Sequence, residues 1–363
     1  MLVYCGIDEA GYGPMLGPLV VSAATFILPD HRPENGPPDL WSVLSRCVTR
    51  EPAKAESKRW GTRIVVNDSK RLKLSADGRR HPLHHLELGV LAFELAGGGR
   101  LPATMVAPPA PACPGRISDQ TVSAEVFLCD RDLLCRLAPE LAHDLGPCPW
   151  YAGDDLPLPQ AGHDPGMLRV TAARLARGLA DGGLSGVTLD AEVITEPRYN
   201  HLVDRMRSKA TASFSIVMRL VDRVLRRWPD AHPRIIVDRQ GARSFYREPL
   251  AMSYPQFEVR IVAESDGLSR YTLVDPARRG RPVVTISFIE KAEERHFPVA
   301  LASMTAKYAR ELMMIRFNRW AATICPEIKP TAGYVQDARR FLDEFRPAAR
   351  LAGLDLTPLI RVR

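Results

Sequence analysis

Residues 2–28 read LVYCGIDEAGYGPMLGPLVVSAATFIL, and this stretch decides the fold. It opens with an apolar run of branched and aromatic side chains that ends at Asp8 and Glu9, and it closes with a second β-prone run over residues 19–28. Between the two runs lies a loop rich in glycine and proline, residues 11–18. Two β-prone runs joined by such a loop are typical of a hairpin. The sequence therefore predicts two paired strands, with two acids at the end of the first.

Strand-like and helix-like segments continue along the chain. Further strands are predicted at 63–66, 186–190 and 234–237, and a pair of hairpins at 257–263, 271–274 and 283–289. Helical spacing is found at 83–95, 167–179, 199–228 (with a break near Ser208) and 299–320. Strands followed by helices, mixed with hairpins, predict an α/β fold with a mixed sheet.

Composition bounds the class of protein. The chain has 363 residues, of which 45% are hydrophobic and 25% charged, as in globular proteins. No apolar run approaches the roughly 20 residues that span a bilayer, and the N-terminus lacks the basic start of a signal peptide. We therefore expect a cytoplasmic monomer. The net charge of +7 favours polyanionic partners such as nucleic acid.

Residues 97–165 differ in character from the rest of the chain. Two proline-rich segments, 108–111 and 156–159, bracket a weakly helical middle that contains four of the seven cysteines. We interpret 97–165 as an insertion or small subdomain within a domain formed by 1–96 and 166–363. The four cysteines (Cys113, Cys129, Cys135 and Cys148) suggest zinc, but no pair has CxxC spacing, which favours buried or free thiols.

Acidic residues follow three of the predicted strands: Asp8 with Glu9, then Asp68, then Asp238. Acids at strand ends tend to gather at one edge of a sheet, where ligand sites usually lie. Gathered carboxylates repel one another unless a cation neutralises them. Oxygen ligands without matching His or Cys suit Mg²⁺ or Mn²⁺. Two such ions about 4 Å apart can activate a water and stabilise the leaving oxygen in phosphodiester cleavage.

The helix predicted at 299–320 adds Ser303, Lys307 and Glu311, which share one face because they are spaced by four residues. Glu311 is thus a candidate fourth carboxylate. The alternative is that the acids after strands are turn or cap residues and that Glu311 pairs with Lys307.

Five stretches together resemble the motifs of type-2 ribonucleases H (ribonucleases HII and HIII). Residues 6–20 (GIDEAGYGPMLGPLV) resemble GIDEAGRGPLAGPVV, and 68–72 (DSKRL) resemble DSKKL. Residues 236–238 (IVD) resemble the strand of the VDG motif. Residues 291–311 resemble KGD…IAAASILAKVxRD, and Gly333 with Tyr334 resembles the C-terminal GY motif.

This resemblance implies a fold, a chemistry and a set of metal ligands. The implied fold is ribonuclease H-like, a five-stranded mixed sheet flanked by helices, here with an inserted subdomain. The implied reaction is endonucleolytic hydrolysis of the RNA strand of RNA/DNA hybrids with two Mg²⁺ or Mn²⁺ ions, leaving a 3′-hydroxyl and a 5′-phosphate. The metal-binding carboxylates would be Asp8, Glu9, Asp238 and Glu311.

The resemblance also implies residues that contact the nucleic acid. The loop residues Gly11, Tyr12 and Gly13 would bring backbone amides close to the sugar-phosphate. Phosphate contacts are expected from Ser69, Lys70, Ser303 and Lys307, and stacking on a sugar or base from Tyr334.

Three positions depart from the family motifs. Tyr12 stands where the family has Arg or Lys, Arg239 replaces the glycine of VDG, and Ala292 that of KGD. These departures keep two alternatives open. One is a nuclease of the same superfamily with a different nucleic-acid substrate, and the other is a non-catalytic nucleic-acid-binding relative.

Overall fold

A computed structural model describes residues 1–32, 35–59, 61–73, 78, 80–98, 129–239, 241 and 243–362. The strands among these residues are β1 (Leu2–Ala10), β2 (Leu19–Leu28), β3 (Val48–Thr49), β4 (Glu56–Ser57), β5 (Gly61–Thr62), β6 (Ile64–Val65), β7 (Gly186–Ile194), β8 (Arg234–Asp238), β9 (Glu258–Ser265), β10 (Leu268–Asp275) and β11 (Arg281–Ile289). The helices are α1 (Leu40–Val43), α2 (Ser69–Leu72), α3 (His84–Gly97), α4 (Asp130–Leu137), α5 (Leu141–Asp144), α6 (Pro165–Asp181), α7 (Glu196–Met206), α8 (Lys209–Arg227), α9 (Arg247–Ser253), α10 (Phe297–Ile324) and α11 (Val335–Leu351).

The main sheet is mixed and has the strand order β7-β2-β1-β8-β11-β10-β9. Strand β1 pairs antiparallel with β2 and parallel with β8, and β8 pairs parallel with β11. The predicted α/β fold with a flanked mixed sheet is confirmed, but the sheet has seven strands rather than five. The meander of β9, β10 and β11 forms one side of the sheet, and its outer strand β9 leaves most of its residues exposed.

The strand predicted at 63–66 lies outside the main sheet. Its core is β6, which pairs with the two-residue strand β3 in a small parallel sheet. Buried branched residues suit both environments, so composition did not distinguish them. The break predicted near Ser208 is confirmed, since Arg207 adopts a left-handed conformation (φ 54°) and the Ser208 side chain caps α8.

The sheet separates two hydrophobic cores. One contains residues of α3, α6, α10 and α11, and the other contains residues of α8 and α9 with Tyr199 of α7. Helix α10 is buried over most of its 28 residues and packs directly on β1. Gly6 permits this packing, because a Cβ there would lie 2.1 Å from the backbone nitrogen of Val299. The start of α10 is thereby held against the middle of β1.

The described part of the predicted insertion, from residue 129 onwards, is joined to α10 by a buried ion pair. The Arg316 guanidinium donates to both carboxylate oxygens of Asp130, at 2.5 and 2.7 Å. Leu133, Trp150 and Tyr151 of this segment belong to the α10 core. The boundaries 97–165 stay a prediction, because residues 99–128, including Cys113, lie outside the described residues.

The six described cysteines are free thiols. Among the described residues, no helix combines the length and the apolar composition that crossing a membrane requires.

Candidate active site

Strand register places Asp8 beside Asp238. Ile7 of β1 is the partner of Val237 in the parallel strand β8, so the next residue of each strand is an acid. Neighbouring strands lie about 4.8 Å apart. Side chains alternate between the two faces of a sheet, and Ile236 belongs to the α10 core. Asp8 and Asp238 therefore both face α10, at the same end of adjacent strands.

The Asp8 carboxyl is difficult to ionise without a cation. Burial raises its pKa well above the ordinary value, and the negative charge of Asp238 raises it further. Hydrogen bonds from the Ser303 hydroxyl and from the backbone N–H of Glu9 (2.7 Å) oppose this rise. Two carboxylates with raised pKa values at the C-terminal ends of adjacent strands form a site that favours bound cations or protons.

Asp238 is oriented by the short turn before α10. The backbone N–H of Ala292 donates to its Oδ1 at 2.9 Å. Burial raises the Asp238 pKa to about 7, and the charges of Glu293 and Glu9 contribute to the rise. The Glu293 carboxylate lies close enough to Asp238 to act on its ionisation, and its Oε2 is buried without a hydrogen-bond partner among the described residues. Glu293 thus joins the other three acids.

We refer to Asp8, Glu9, Asp238 and Glu293 as the acidic cluster. Glu293 was not among the candidates selected from the sequence. A signal for it exists in Lys291-Ala292-Glu293, which aligns with KGD and places an acid at the third position.

Glu311 lies elsewhere on α10. Its Oε1 is 2.8 Å from the ammonium nitrogens of both Lys73 and Lys307. Burial works against its ionisation, but the two lysines outweigh burial and lower its pKa below the ordinary value. It follows Ser303 by eight residues, or about 12 Å along the helix axis. The structure thus brings together Asp8, Glu9 and Asp238 but places Glu311 in a lysine pair.

The acidic cluster is open rather than tight. Among the described residues, the one group of three potential ligand atoms within 4.8 Å of one another is Cys129, Asp130 and Asp155. Arg316 donates to both aspartates of that group and Arg131 donates to Asp155, so the two negative charges are already neutralised.

A buried serine pair supports the acidic cluster from α10 and α2. The hydroxyl oxygens of Ser69 and Ser303 are 2.9 Å apart, and both side chains are buried. Ser303 therefore contacts both Ser69 and Asp8 in this structure. Lys307 follows one helical turn later and is buried in its pair with Glu311, whereas Lys70 is exposed.

We define the glycine loop as residues 11–17; one exposed tyrosine, Tyr12, lies in this loop, and another, Tyr334, lies beside it. Tyr12 is 37% exposed and Tyr334 is 50% exposed. Burial raises the pKa of the Tyr12 hydroxyl, and the nearby charges of Tyr199 and Glu9 contribute, which places Tyr12 close to the acidic cluster. The Arg310 guanidinium lies 5.7 Å from the centre of the Tyr334 ring.

Glycines 11 and 13 have different roles in this loop. Gly11 has φ +91°, and a Cβ there would lie 2.6 Å from the Pro18 carbonyl oxygen. Gly13 faces open space, with no atom within 4 Å of a Cβ position. The loop therefore presents backbone rather than side chains at Gly13.

The two departures next to the acidic cluster are accommodated locally. The Arg239 side chain turns back on its own loop, where its Nε donates to the Arg243 carbonyl at 2.9 Å and an Nη donates to the Ser244 hydroxyl. Ala292 is buried, and its backbone N–H holds Asp238.

The solved structures to which this chain is similar include ribonucleases HII and HIII. It aligns over 100% of its length with 95% of the chain in the PCNA:RNase HII complex from Archaeoglobus fulgidus, at 13% identity and a TM-score of 0.37. It aligns over 99% of its length with 66% of the chain of Bst-RNase HIII in complex with Mn²⁺, at 15% identity and a TM-score of 0.39. It aligns over 99% of its length with 92% of the chain of the ribonuclease H2 from Pyrococcus horikoshii OT3, at 13% identity and a TM-score of 0.34. No protein-family model and no curated protein matches the chain.

Proposed function

We propose that this chain is a divalent-metal-dependent endonuclease of the type-2 ribonuclease H kind, which hydrolyses the RNA strand of RNA/DNA hybrids. The observation that carries the proposal is the register of β1 and β8, which sets Asp8 beside Asp238 at the C-terminal ends of the two strands. Glu9 and Glu293 add their charges at the same place. The motif resemblance of the glycine loop and the net charge of +7 support a nucleic-acid substrate.

The acidic cluster fits Mg²⁺ or Mn²⁺. Burial and mutual repulsion raise the pKa of Asp8 and of Asp238, and a bound cation would relieve both costs. The buried Glu293 Oε2 has no hydrogen-bond partner among the described residues and is available as a ligand. We therefore propose Glu293, in place of Glu311, as the fourth metal-binding carboxylate.

Each part of the site has a distinct role under this proposal. Bound divalent ions would activate water and stabilise the leaving oxygen. Ser303 orients Asp8, and the Ala292 N–H orients Asp238, so both carboxylates are fixed before the substrate arrives. The glycine loop contacts the sugar-phosphate, and Tyr334 stacks beside it, while the exposed Lys70 binds a more distant phosphate.

A second substrate class is favoured by one observation, the exposed Tyr12 in the glycine loop. An aromatic ring at this position stacks on a sugar or base, whereas the Arg or Lys of the family motif binds phosphate. The corresponding candidate is a nuclease with the same acidic cluster that prefers another duplex, such as double-stranded RNA.

A cleavage assay tests both candidates. End-labelled RNA/DNA hybrid, RNA duplex, DNA duplex and DNA with one embedded ribonucleotide are incubated with the full chain in Mg²⁺, Mn²⁺ or EDTA. We expect metal-dependent cleavage of the hybrid RNA strand. In Asp8→Asn and Asp238→Asn the rate should fall at least about a thousandfold while hybrid binding persists. Asp154→Asn, an exposed acid outside the site, serves as the matched control and should cleave normally.

Full activity of Asp8→Asn or Asp238→Asn would refute the assignment of the site. Preferred cleavage of the RNA duplex would replace the hybrid with the second substrate class. Binding of duplexes without cleavage in either metal would instead indicate a non-catalytic nucleic-acid-binding protein.

A further inference from the structure

Near the C-terminus, Arg361 reaches back across the molecule to the glycine loop. Its side chain is 2% exposed. One terminal nitrogen donates to the Gly11 carbonyl and the other to the Tyr12 carbonyl at 3.2 Å. We infer that Arg361 is a positioning residue that holds the glycine loop in its substrate-binding conformation, an inference that rests on the proposed function.

The two hydrogen bonds decide which way the loop peptides point. In a trans peptide the C=O and the N–H of the same unit point in opposite directions. Because Arg361 draws the carbonyls of Gly11 and Tyr12 inward, the N–H groups of Tyr12 and Gly13 turn outward. Neither N–H has an acceptor within the part of the chain that the structure describes. Two consecutive outward N–H groups suit a phosphate oxygen.

The backbone around Arg361 is fixed as firmly as its side chain. Its N–H donates to the Met15 carbonyl at 2.9 Å, which adds a third attachment to the loop. Asn200 of α7 bonds the residues on either side, to the Ile360 carbonyl and from the Val362 N–H, each at 2.8 Å. The guanidinium lies 4.0 Å above the centre of the Tyr199 ring, within cation–π range. The C-terminal segment is therefore a rigid support rather than a loose tail.

Charge beneath the loop also favours an anion above it. The buried Arg310 donates to the Leu16 carbonyl at 3.2 Å, so a second guanidinium lies under the same loop. The buried carboxylate of Glu196 accepts from the Gly17 N–H at 3.0 Å and opposes only one of the two positive charges. These three groups carry a net positive charge beneath the loop, which offsets part of the negative charge of the nearby acidic cluster; Arg361 itself is too deeply buried to contact the substrate.

Hydrogen–deuterium exchange of the full chain tests this role without relying on nuclease activity. In Arg361→Met the carbonyls lose their donors while the length of the side chain is nearly kept. We expect exchange in residues 11–17 to quicken at least about tenfold, with α10 unchanged. Arg361→Lys should be intermediate, because an ammonium lacks the fork that bonds two carbonyls together. Arg350→Met, an exposed arginine at the end of α11, is the matched control and should leave exchange unchanged.

Substrate binding supplies the second measurement. In an Asp8→Asn background without metal, adding Arg361→Met should weaken hybrid binding about tenfold, the size expected for a lost charge-assisted hydrogen bond. Unchanged loop exchange in Arg361→Met, an equal increase in exchange throughout the protein, or undiminished hybrid affinity would overturn the inference. A wild-type chain that cleaves no duplex would refute the proposed function instead, and loop exchange would still decide whether Arg361 holds the loop.

Discussion

At the scale of single residues, the proposed chemistry depends on individual carboxylates placed where they repel one another. Asp8 and Asp238 follow directly paired residues of adjacent parallel strands, and burial raises the pKa of each. Such a pair is stable only with shared protons or bound cations. Glu293 meets them from a short turn, whereas Glu311 is neutralised by Lys73 and Lys307. The two glutamates differ in their distance from the aspartates, and a position on a helix face does not reveal that distance.

Substitution of the two glutamates should therefore have unequal effects on cleavage. Glu293→Gln removes a charge from the acidic cluster and should lower the single-turnover rate on the hybrid about a hundredfold or more. Glu311→Gln leaves the acidic cluster intact and should lower the rate less than about tenfold. Measurement at saturating hybrid separates the chemical step from binding. A larger loss in Glu311→Gln than in Glu293→Gln would return the fourth carboxylate to α10.

Asp8, Glu9 and Asp238 were predicted because they follow apolar runs typical of strands and match the family motifs. Glu311 was predicted from the motif resemblance and from the spacing of four residues that defines a helix face, but neither shows which residues face the acids. Glu293 lies in a short turn after the left-handed residue Lys291 (φ 52°), where no periodicity indicates direction. Only tertiary contacts distinguish the two positions.

At the scale of elements, the site depends on how closely α10 approaches β1. Gly6 contacts the first turn of α10 at Val299. Ser303 follows one helical turn later and therefore lies at the level of Asp8. The first hairpin and the 299–320 helix were predicted from apolar runs and helical spacing. Their close packing was not, because a glycine within a strand indicates a close backbone approach without naming the partner.

Gly6→Ala tests this contact. The added methyl would overlap the Val299 backbone, so the helix must shift. We expect the free energy of unfolding, measured by denaturant titration, to fall by about 1–3 kcal/mol. The folded protein should also cleave more slowly. Gly146→Ala is the control, because Gly146 faces open space and has no positive φ. Equal stability of the Gly6→Ala variant and the wild type would show that α10 is not held in this way.

At the scale of the whole molecule, contacts between residues distant in the chain hold the parts of the fold together. Arg361 holds the glycine loop, Glu293 meets Asp238, and Arg316 ties the segment that begins at residue 129 to α10. Local patterns predicted most strands and helices, since these follow periodicity. The seven-stranded sheet and the long-range attachments depend on pairings that periodicity does not encode.

Binding of Mn²⁺ to the metal-free protein, followed by isothermal titration calorimetry, tests the acidic cluster most directly. We expect the wild type and the control Asp154→Asn to bind Mn²⁺ alike, and Asp238→Asn to bind at least about tenfold more weakly, because it loses one ligand and its charge. Absence of Mn²⁺ binding by the wild type, or equal binding by Asp238→Asn, would contradict the account.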